Sequence, residues 1–263
     1  MLIILIIKMS KIRYGLKLRT DNESSIPEAD ELINKCIFDY VELFYLPNHK
    51  TENYPSNVEV IHAPHANNGF NIADNSKRDY NLRCMEGSIK LADRTKAKYI
   101  IVHAGNTNNG GNEETAKNFL NEINDSRIIV ENKPIALHTK GTDLKEDATG
   151  IGYNTMGIIN ICSDKYGICL DFSHAAKAAL SLKKNYGELI EEFLKLEPKM
   201  FHLNDTRFDD EKDEHLHLGE GKFNLKFLKE CVEKNKYKMI SLETPRGECL
   251  DKDLENLLYF KNL

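Results

Sequence analysis

Apolar and polar positions follow two patterns that succeed each other along the chain. Short runs that are β-branched and nearly continuous in apolar character predict strands buried on both faces. Longer segments with apolar residues three and four positions apart predict helices between most of these strands. The predicted strands are 11–18, 39–45, 58–63, 97–105, 127–132, 166–172, 199–205 and 238–244. The predicted helices are 26–37, 75–96, 112–124, 154–165, 173–196, 224–235 and 250–260.

Eight such strands within 263 residues predict an α/β fold, a single (β/α)8 TIM barrel that spans residues 1–263. A doubly wound open sheet is the competing fold, but no G-x-G-x-x-G motif follows the first strand. In an α/β barrel the chemistry lies at the C-terminal ends of the strands. We therefore expect the functional site at that face.

The N-terminus and the cysteines bear on where the protein acts. Residues 1–8 are either an extension before an alternative start at Met9 or an added strand, and their apolar run of six residues is too short to span a bilayer. The six cysteines are scattered without a C-x-x-C pair, which is typical of reduced thiols in the cytosol. The sequence therefore predicts a cytoplasmic protein with no membrane partner.

The formal net charge is −5, which at first argues against a nucleic-acid partner. Three bound divalent cations would bring the charge to about +1, so a phosphate-bearing substrate stays open. Hydrophobic residues make up 41% of the chain and charged residues 29%, as expected for a soluble globular protein. Composition therefore does not decide the function, which has to be inferred from the residues at the strand ends.

Metal-ligand residue types stand at the ends of six consecutive predicted strands. Another histidine follows one of these strand ends by three residues, and a polar loop after the seventh strand adds an aspartate and a histidine. The full candidate set is His62, His103, Glu131, Asp171, His174, His202, Asp213, His215 and Glu243. Nine ligands are too many for one ion of coordination four to six. They favour a cluster of three ions with shared carboxylates.

The motifs that contain these residues resemble a known family. The runs IHAPH, VHAG, VEN, LDFSHA, FHLNDT, DEHLHLGEG and LETP, between about residues 58 and 246, are similar to endonuclease IV, the apurinic/apyrimidinic endonuclease of the xylose isomerase-like barrels. The resemblance implies three Zn²⁺ ions, with Mn²⁺ possible in some sites. It assigns His62 and His103 to the first ion, with Glu131 bridging it to the second. Asp171, His202 and Glu243 would complete the second ion's ligands, and His174, Asp213 and His215 would hold the third.

The resemblance also implies a reaction and a partner. Members of the family cleave the phosphodiester 5′ to an abasic site in damaged double-stranded DNA during base excision repair. By the same resemblance the protein is expected to be a monomer. Paired ions about 3.5–4 Å apart stabilise the attacking and leaving oxygens. Glu131 and Glu243 would be the catalytic residues that orient or deprotonate the attacking water.

Three segments depart from the family pattern. The loop FYLPNHKTENYPSN after the second strand lacks the helical segment that the family inserts into the minor groove, and NKPIALHTKG lacks its glycine-containing turn. His65 stands where the family usually has a tyrosine that contacts DNA. Four residues are candidate substrate contacts, with plain surface residues as the alternative: His65, Arg207, His217 and Arg246. The sequence therefore predicts an intact metal site with a weaker grip on DNA.

Two other functions stay open. A single-metal sugar isomerase or epimerase of the same superfamily would need only a quartet such as Glu131, Asp171, His202 and Glu243. The five further ligands are surplus to that chemistry and favour the nuclease. A barrel that binds DNA or metal without catalysis is the third hypothesis.

Overall fold

The computed structural model describes residues 11–49, 51–138, 143–247 and 249–263. Its eight strands form a closed parallel barrel in sequence order, from β1 to β8 and back to β1, which confirms the predicted TIM barrel. The strands are β1 (Arg13–Arg19), β2 (Tyr40–Phe44), β3 (Val58–His62), β4 (Tyr99–His103), β5 (Ile128–Glu131), β6 (Gly167–Asp171), β7 (Met200–Leu203) and β8 (Met239–Leu242). Residues 1–8 and the alternative start at Met9 lie outside the described residues.

The helices pack around the barrel in the predicted order. They are α1 (Ile26–Asn34), α2 (Arg78–Thr95), α3 (Glu113–Ile123), α4 (Thr155–Cys162), α5 (Phe172–Ser181), α6 (Tyr186–Leu194), α7 (Leu225–Lys234) and α8 (Asp251–Lys261). The segment 173–196, predicted to be largely helical, contains two helices, α5 and α6. The break occurs where the Asn185 side chain accepts hydrogen bonds from the Gly187 and Glu188 amides and so starts α6 anew.

Two apolar layers hold the fold together. The larger one lies between the sheet and the helices. The smaller one fills the inside of the barrel and consists of Tyr40, Val60, Ile101, Ile129, Cys169, Met200 and Met239. These seven side chains close the barrel interior from below, so a cavity can open only at the C-terminal face.

Two further sequence predictions can be compared with the described residues. Within the described ranges, no helix is both long and apolar enough to cross a membrane. The cysteines are free thiols, and four of them are buried while Cys36 and Cys249 are exposed.

Candidate metal centre

The alternation of side chains along the strands builds the site on top of the inner apolar layer. Successive strand residues point to opposite faces, so the residue two positions after an inward-facing one also faces inward. Six strands carry a ligand-type residue two positions after their member of that layer: Glu42, His62, His103, Glu131, Asp171 and His202. On β8, Glu243 follows Met239 by four positions, which is the same parity. The barrel closure therefore brings seven such side chains to one mouth.

Glu131 lies at the middle of this group and is fully buried. Its Oε2 atom is 3.2 Å from His62 Nε2, 3.3 Å from His103 Nε2 and 3.3 Å from His202 Nδ1. Its Oε1 atom is 3.1 Å from His174 Nδ1. One carboxylate thus contacts four imidazoles, an arrangement suited to bridging cations.

Two more groups adjoin this centre. On one side, Glu243 Oε1 lies 2.9 Å from His202 Nδ1. On the other, Asp213 Oδ2 lies 2.9 Å from His215 Nε2 and 3.5 Å from His174 Nε2, and Ser173 Oγ donates to Asp213 Oδ1 at 2.5 Å. The structure therefore brings all nine sequence-predicted ligands together.

The backbone fixes how several of the rings present their nitrogens. His62 Nδ1 lies 2.7 Å from the carbonyl of Ala63, and His215 Nδ1 lies 2.6 Å from the carbonyl of Glu243. His174 Nδ1 lies 2.8 Å from the carbonyl of Asn132. A carbonyl only accepts, so each ring donates through Nδ1–H, which leaves Nε2 as the nitrogen that can bind an ion once it is deprotonated.

Unpartnered buried atoms test whether the residues fit metal ions. Four buried side-chain atoms of the centre, all within the described residues, make no hydrogen bond: Glu42 Oε1, Glu131 Oε1, Asp171 Oδ2 and His202 Nδ1. Leaving such atoms unpaired is costly, and a cation is the partner that carboxylate oxygens and an imidazole lone pair share. Ligand atoms of His62, His103 and Glu131 lie within 4.8 Å of one another, as do those of Glu131, Asp171 and His174. The donor set fits divalent metal ions.

Sequence reasoning missed two residues of the site, Lys17 and Glu42. Glu42 Oε2 lies 3.0 Å from His202 Nε2, and Lys17 Nζ lies 3.1 Å from Glu42 Oε1 and also pairs with Glu243. Lys17 lies two positions after Gly15 on β1. An added Cβ at Gly15 would lie 2.4 Å from the Tyr40 ring, so that ring fills the space inside the barrel next to Gly15. The parity of β1 and β2 was the signal that could have found both residues.

Comparison with known proteins agrees with this geometry. The family model described as xylose isomerase-like TIM barrel matches residues 38–260. A protein from Mycoplasma mobile named probable endonuclease 4 is 31% identical over 221 residues, which cover 78% of this chain and 75% of that protein. The chain belongs to the endonuclease IV family of xylose isomerase-like TIM barrels.

Solved structures share the fold of this endonuclease IV family member. Endonuclease IV from Thermus thermophilus superposes with a TM-score of 0.66 at 20% identity, covering 95% of this chain and 98% of that one. A D-tagatose 3-epimerase-like protein superposes with a TM-score of 0.67, also at 20% identity, covering 95% and 96%. The fold alone therefore does not separate nuclease from epimerase.

Burial and neighbouring charges shift the pKa values of residues at the metal centre. Burial, assisted by the charges of Glu243 and Glu131, raises the pKa of Asp171 to about 6. Burial opposes protonation of His174, but the charges of Asp171 and Asp213 raise its pKa to about 10. Burial also lowers the pKa of His215, but the negative charge of Asp213 has the larger effect and raises it to about 9. Without cations, protons therefore neutralise this cluster of carboxylates.

A cavity of about 530 Å³ lies above the centre at the C-terminal face. His62, His103 and Glu243 are among the residues at its base, and Lys17 also reaches it. Apolar walls come from Phe44, Phe70, Ile72, Leu137 and Leu144. The cavity therefore combines a charged floor with apolar sides, as small-ligand sites do.

Two of the four candidate substrate contacts line the cavity. The His65 ring stacks on His103 with centroids 5.5 Å apart, and burial lowers the pKa of His65 to about 3. Arg246 also lines the cavity, but its guanidinium is held by Asp253 at 2.6 Å and donates to the carbonyl of Lys17.

The structure places the other two candidates away from the cavity lining. Arg207 is exposed and lies 3.8 Å from Glu214. His217 Nδ1 lies 3.0 Å from Asn256 Nδ2, which also donates to Thr244 Oγ1 at 3.1 Å. The exposed residue His138 also lines the cavity, and its Nε2 contacts the carbonyl of Asp213.

Proposed function

We propose that this chain is a metal-dependent phosphodiesterase that hydrolyses the DNA backbone 5′ to an abasic site. The observation that carries the proposal is the convergence of nine ligand-type residues around Glu131 at one cavity. An isomerase quartet would leave five of them without a role, and relatives at about 31% identity are named endonucleases. Three Zn²⁺ ions match the number and type of the donors, and Mn²⁺ suits the carboxylate-rich positions.

The residues divide naturally among three ions. The proposed groups are His62, His103 and Glu131 for the first ion, Glu131, Asp171, His202 and Glu243 for the second, and His174, Asp213 and His215 for the third. When bound, such ions lower the pKa of water and stabilise the charge on the phosphoryl oxygens. The carboxylates hold the ligand rings in place, and the cavity keeps bulk water from competing with the substrate.

The two proposed catalytic carboxylates differ in exposure, so we assign them different tasks. Glu131 is 0% exposed and contacts four imidazoles, so its task is to hold ligands together rather than to meet substrate. Glu243 is 9% exposed and lines the cavity. Glu243 is therefore the carboxylate that orients the attacking water and accepts its proton.

The size of the cavity limits the part of the DNA that can enter. The cavity holds about 530 Å³, too little for a duplex, whose major groove alone is about 12 Å wide and about 8.5 Å deep. A single nucleotide turned out of the stack fits such a volume, and an abasic nucleotide costs least to turn out because it has no base to unpair. The apolar wall near Phe44 and Phe70 then faces the deoxyribose.

A sugar epimerase with one metal ion is the second candidate. His202 Nδ1 lies 3.3 Å from Glu131 and 2.9 Å from Glu243, and ligand atoms of Asp171 and Glu131 lie within 4.8 Å of each other. Lys17 beside Glu243 adds a cation facing the cavity. An epimerase needs one ion per chain, whereas the phosphodiesterase needs the third group with His174 and Asp213. Elemental analysis of metal per chain separates the two.

The decisive experiment is a nicking assay with the metal-loaded protein. The substrate is a duplex oligonucleotide with one tetrahydrofuran abasic analogue, and an undamaged duplex of the same sequence is the control. We expect one incision 5′ to the analogue, and its loss in His62→Ala and Glu243→Ala but not in His49→Ala, which alters a histidine outside the centre. Three bound ions without nicking would contradict the proposal, and one ion with epimerisation of a ketose would favour the second candidate.

A further inference from the structure

Strands β1 and β2 carry none of the nine predicted ligands, yet they deliver Lys17 and Glu42 to the same mouth. Glu42 is 0% exposed, and its Oε2 lies 3.0 Å from His202 Nε2. Its Oε1 lies 3.1 Å from Lys17 Nζ, and Lys17 reaches on to Glu243. A chain of alternating charge, partly exposed to the cavity at Lys17 and buried at Glu42 and His202, therefore runs from Glu243 through Lys17 and Glu42 to the ring of His202.

The ring of His202 is held the opposite way round from other rings of the centre. His62, His174 and His215 each place Nδ1 against a backbone carbonyl. His202 instead directs Nδ1 toward the centre, 2.9 Å from Glu243 Oε1 and 3.3 Å from Glu131 Oε2. Its outer nitrogen, Nε2, faces Glu42. An ionised carboxylate only accepts, so Nε2 carries a proton directed at Glu42. Nδ1 is then the nitrogen whose lone pair a cation between Glu131 and Glu243 would take.

Distance alone would also allow Glu42 to be a ligand, because its carboxylate lies within 4.8 Å of the ligand atoms of His62, His202 and Glu243. Oε2 is hydrogen-bonded to His202, however, and Oε1, which makes no hydrogen bond, lies 3.1 Å from the Lys17 ammonium. A further cation near Oε1 would have to displace Lys17, which also lies between Glu42 and Glu243.

We propose that Glu42 is a positioning residue that holds His202 in the Nε2-protonated form, and that Lys17 is the counter-ion that keeps Glu42 out of the metal coordination. This inference rests on the metal centre proposed above. Strands β1 and β2 supply no ligand of their own. They supply the carboxylate of Glu42, which holds a ligand histidine, and the ammonium of Lys17, which pairs with that carboxylate. Outer partners of this kind orient the ring and strengthen its binding to the ion.

Two substitutions at Glu42 separate positioning from ligation. Glu42→Gln keeps an acceptor of the same shape, whereas Glu42→Leu removes it. Metal-free protein is titrated with Co²⁺ against a chromophoric chelator, and the visible absorption bands of the bound Co²⁺ are recorded. We expect Glu42→Leu to lower the affinity of one ion by about 10- to 100-fold and to shift its bands, with a smaller loss in Glu42→Gln. The number of Co²⁺ ions per chain at saturation stays the same in both variants.

The control is a second buried carboxylate that pairs with cationic side chains, at the end of the barrel away from the metal centre. Glu59 is 7% exposed and is held by Arg13 at 2.6 Å and Lys98 at 2.9 Å, away from the centre. Glu59→Gln and Glu59→Leu should leave affinity and bands unchanged. Circular dichroism of each variant reports whether it folds. If Glu42→Leu does not fold, the tautomer of His202 in the Zn²⁺-loaded wild type decides, read from two-bond ¹H–¹⁵N correlations.

Three results would overturn the inference. Glu42→Gln could bind one ion fewer at saturation, which would make Glu42 a ligand. Both variants could match the wild type in affinity and absorption bands. His202 could carry its proton on Nδ1. Because none of these measurements uses DNA, a wild-type protein that binds metal but does not nick abasic duplex contradicts the proposed phosphodiesterase alone.

Discussion

Glu131 Oε2 lies 3.2 Å from His62 Nε2, although the two residues are 69 positions apart in the chain. They stand at the ends of β5 and β3, which are not hydrogen-bonded neighbours but flank β4. Both side chains face inward at the same height above the apolar layer, so barrel closure alone sets their contact. His202 on β7 stands in the same relation to Glu131 across β6, whereas His103 on β4 is its direct register partner, so Glu131 is the shared element of the centre.

Replacing Glu131 by Gln tests that position. The amide has the same shape but no charge, and its NH₂ group cannot bind a cation. We expect the loss of at least one metal ion per chain and a fall in abasic-site nicking of at least about 100-fold, since even outer partners of a metal are worth about 10- to 100-fold. Elemental analysis and the nicking assay measure the two effects. Glu86→Gln, on the exposed side of α2, should change neither. A full metal complement in Glu131→Gln would refute the bridging assignment.

Metal uptake should release protons at pH 7. In the metal-free protein the pKa of His174 is raised to about 10 and that of His215 to about 9, mainly by Asp171 and Asp213 against the effect of burial. Both rings are therefore protonated at pH 7, and a ligand imidazole must be neutral. Affinity should rise as the pH increases from 6 to 9. Calorimetric titrations in buffers of different ionisation enthalpy measure the released protons, and heats independent of the buffer would contradict the expectation.

Most of the centre could be predicted because its ligands sit where short apolar strands end. His62, His103, Glu131 and Asp171 are the last residues of their strands, so local pattern and barrel geometry together imply that they meet. Asp213 and His215 lie in an irregular loop, and only the spacing of the motif and its resemblance to a family indicated them.

The residues that sequence reasoning missed or misplaced depend on long-range packing. Glu42 lies inside β2 rather than at its end, and its inward direction follows from Tyr40 filling the barrel. Lys17 faces the cavity because Gly15 leaves room for that same ring. His217 turns away because Asn256, 39 positions later, contacts its ring. Strand parity places Lys17 and Glu42 on the inner face, but no local pattern encodes the contact between His217 and Asn256.

Removing the metal should lower thermal stability. An ion that binds only the folded state at about 1,000 times its Kd adds about 4 kcal/mol of stability. For a domain of this size, that corresponds to a rise of about 8–16 °C in Tm. We therefore expect chelation to lower Tm by at least this amount, and Zn²⁺ to restore it. Differential scanning calorimetry measures the shift, and an equal Tm with and without chelator would indicate that the centre is not loaded.

Lys177 should hold the loop that carries Asp213. Its side chain is fully buried on α5, and Nζ donates to the carbonyls of Arg207 at 2.8 Å and Asp210 at 2.7 Å. Lys177→Met keeps the length of the side chain but removes both donors. Because the two bonds from this charged donor are worth about 1.5–3 kcal/mol each, we expect the free energy of unfolding to fall by about 3–6 kcal/mol.

The same substitution should loosen the third ligand group specifically. With the carbonyls of Arg207 and Asp210 released, amides of residues 207–214 should exchange hydrogen faster, and the ion assigned to His174 and Asp213 should bind more weakly. Hydrogen-exchange mass spectrometry and metal titration measure these changes. Lys199→Met is the matched control, because Lys199 Nζ donates to Tyr237 Oη at 2.8 Å, just ahead of β7 at the other end of the barrel. Unchanged exchange in 207–214 would show that the loop is held by other contacts, such as the paired amide and carbonyl of Asp205 and Leu216.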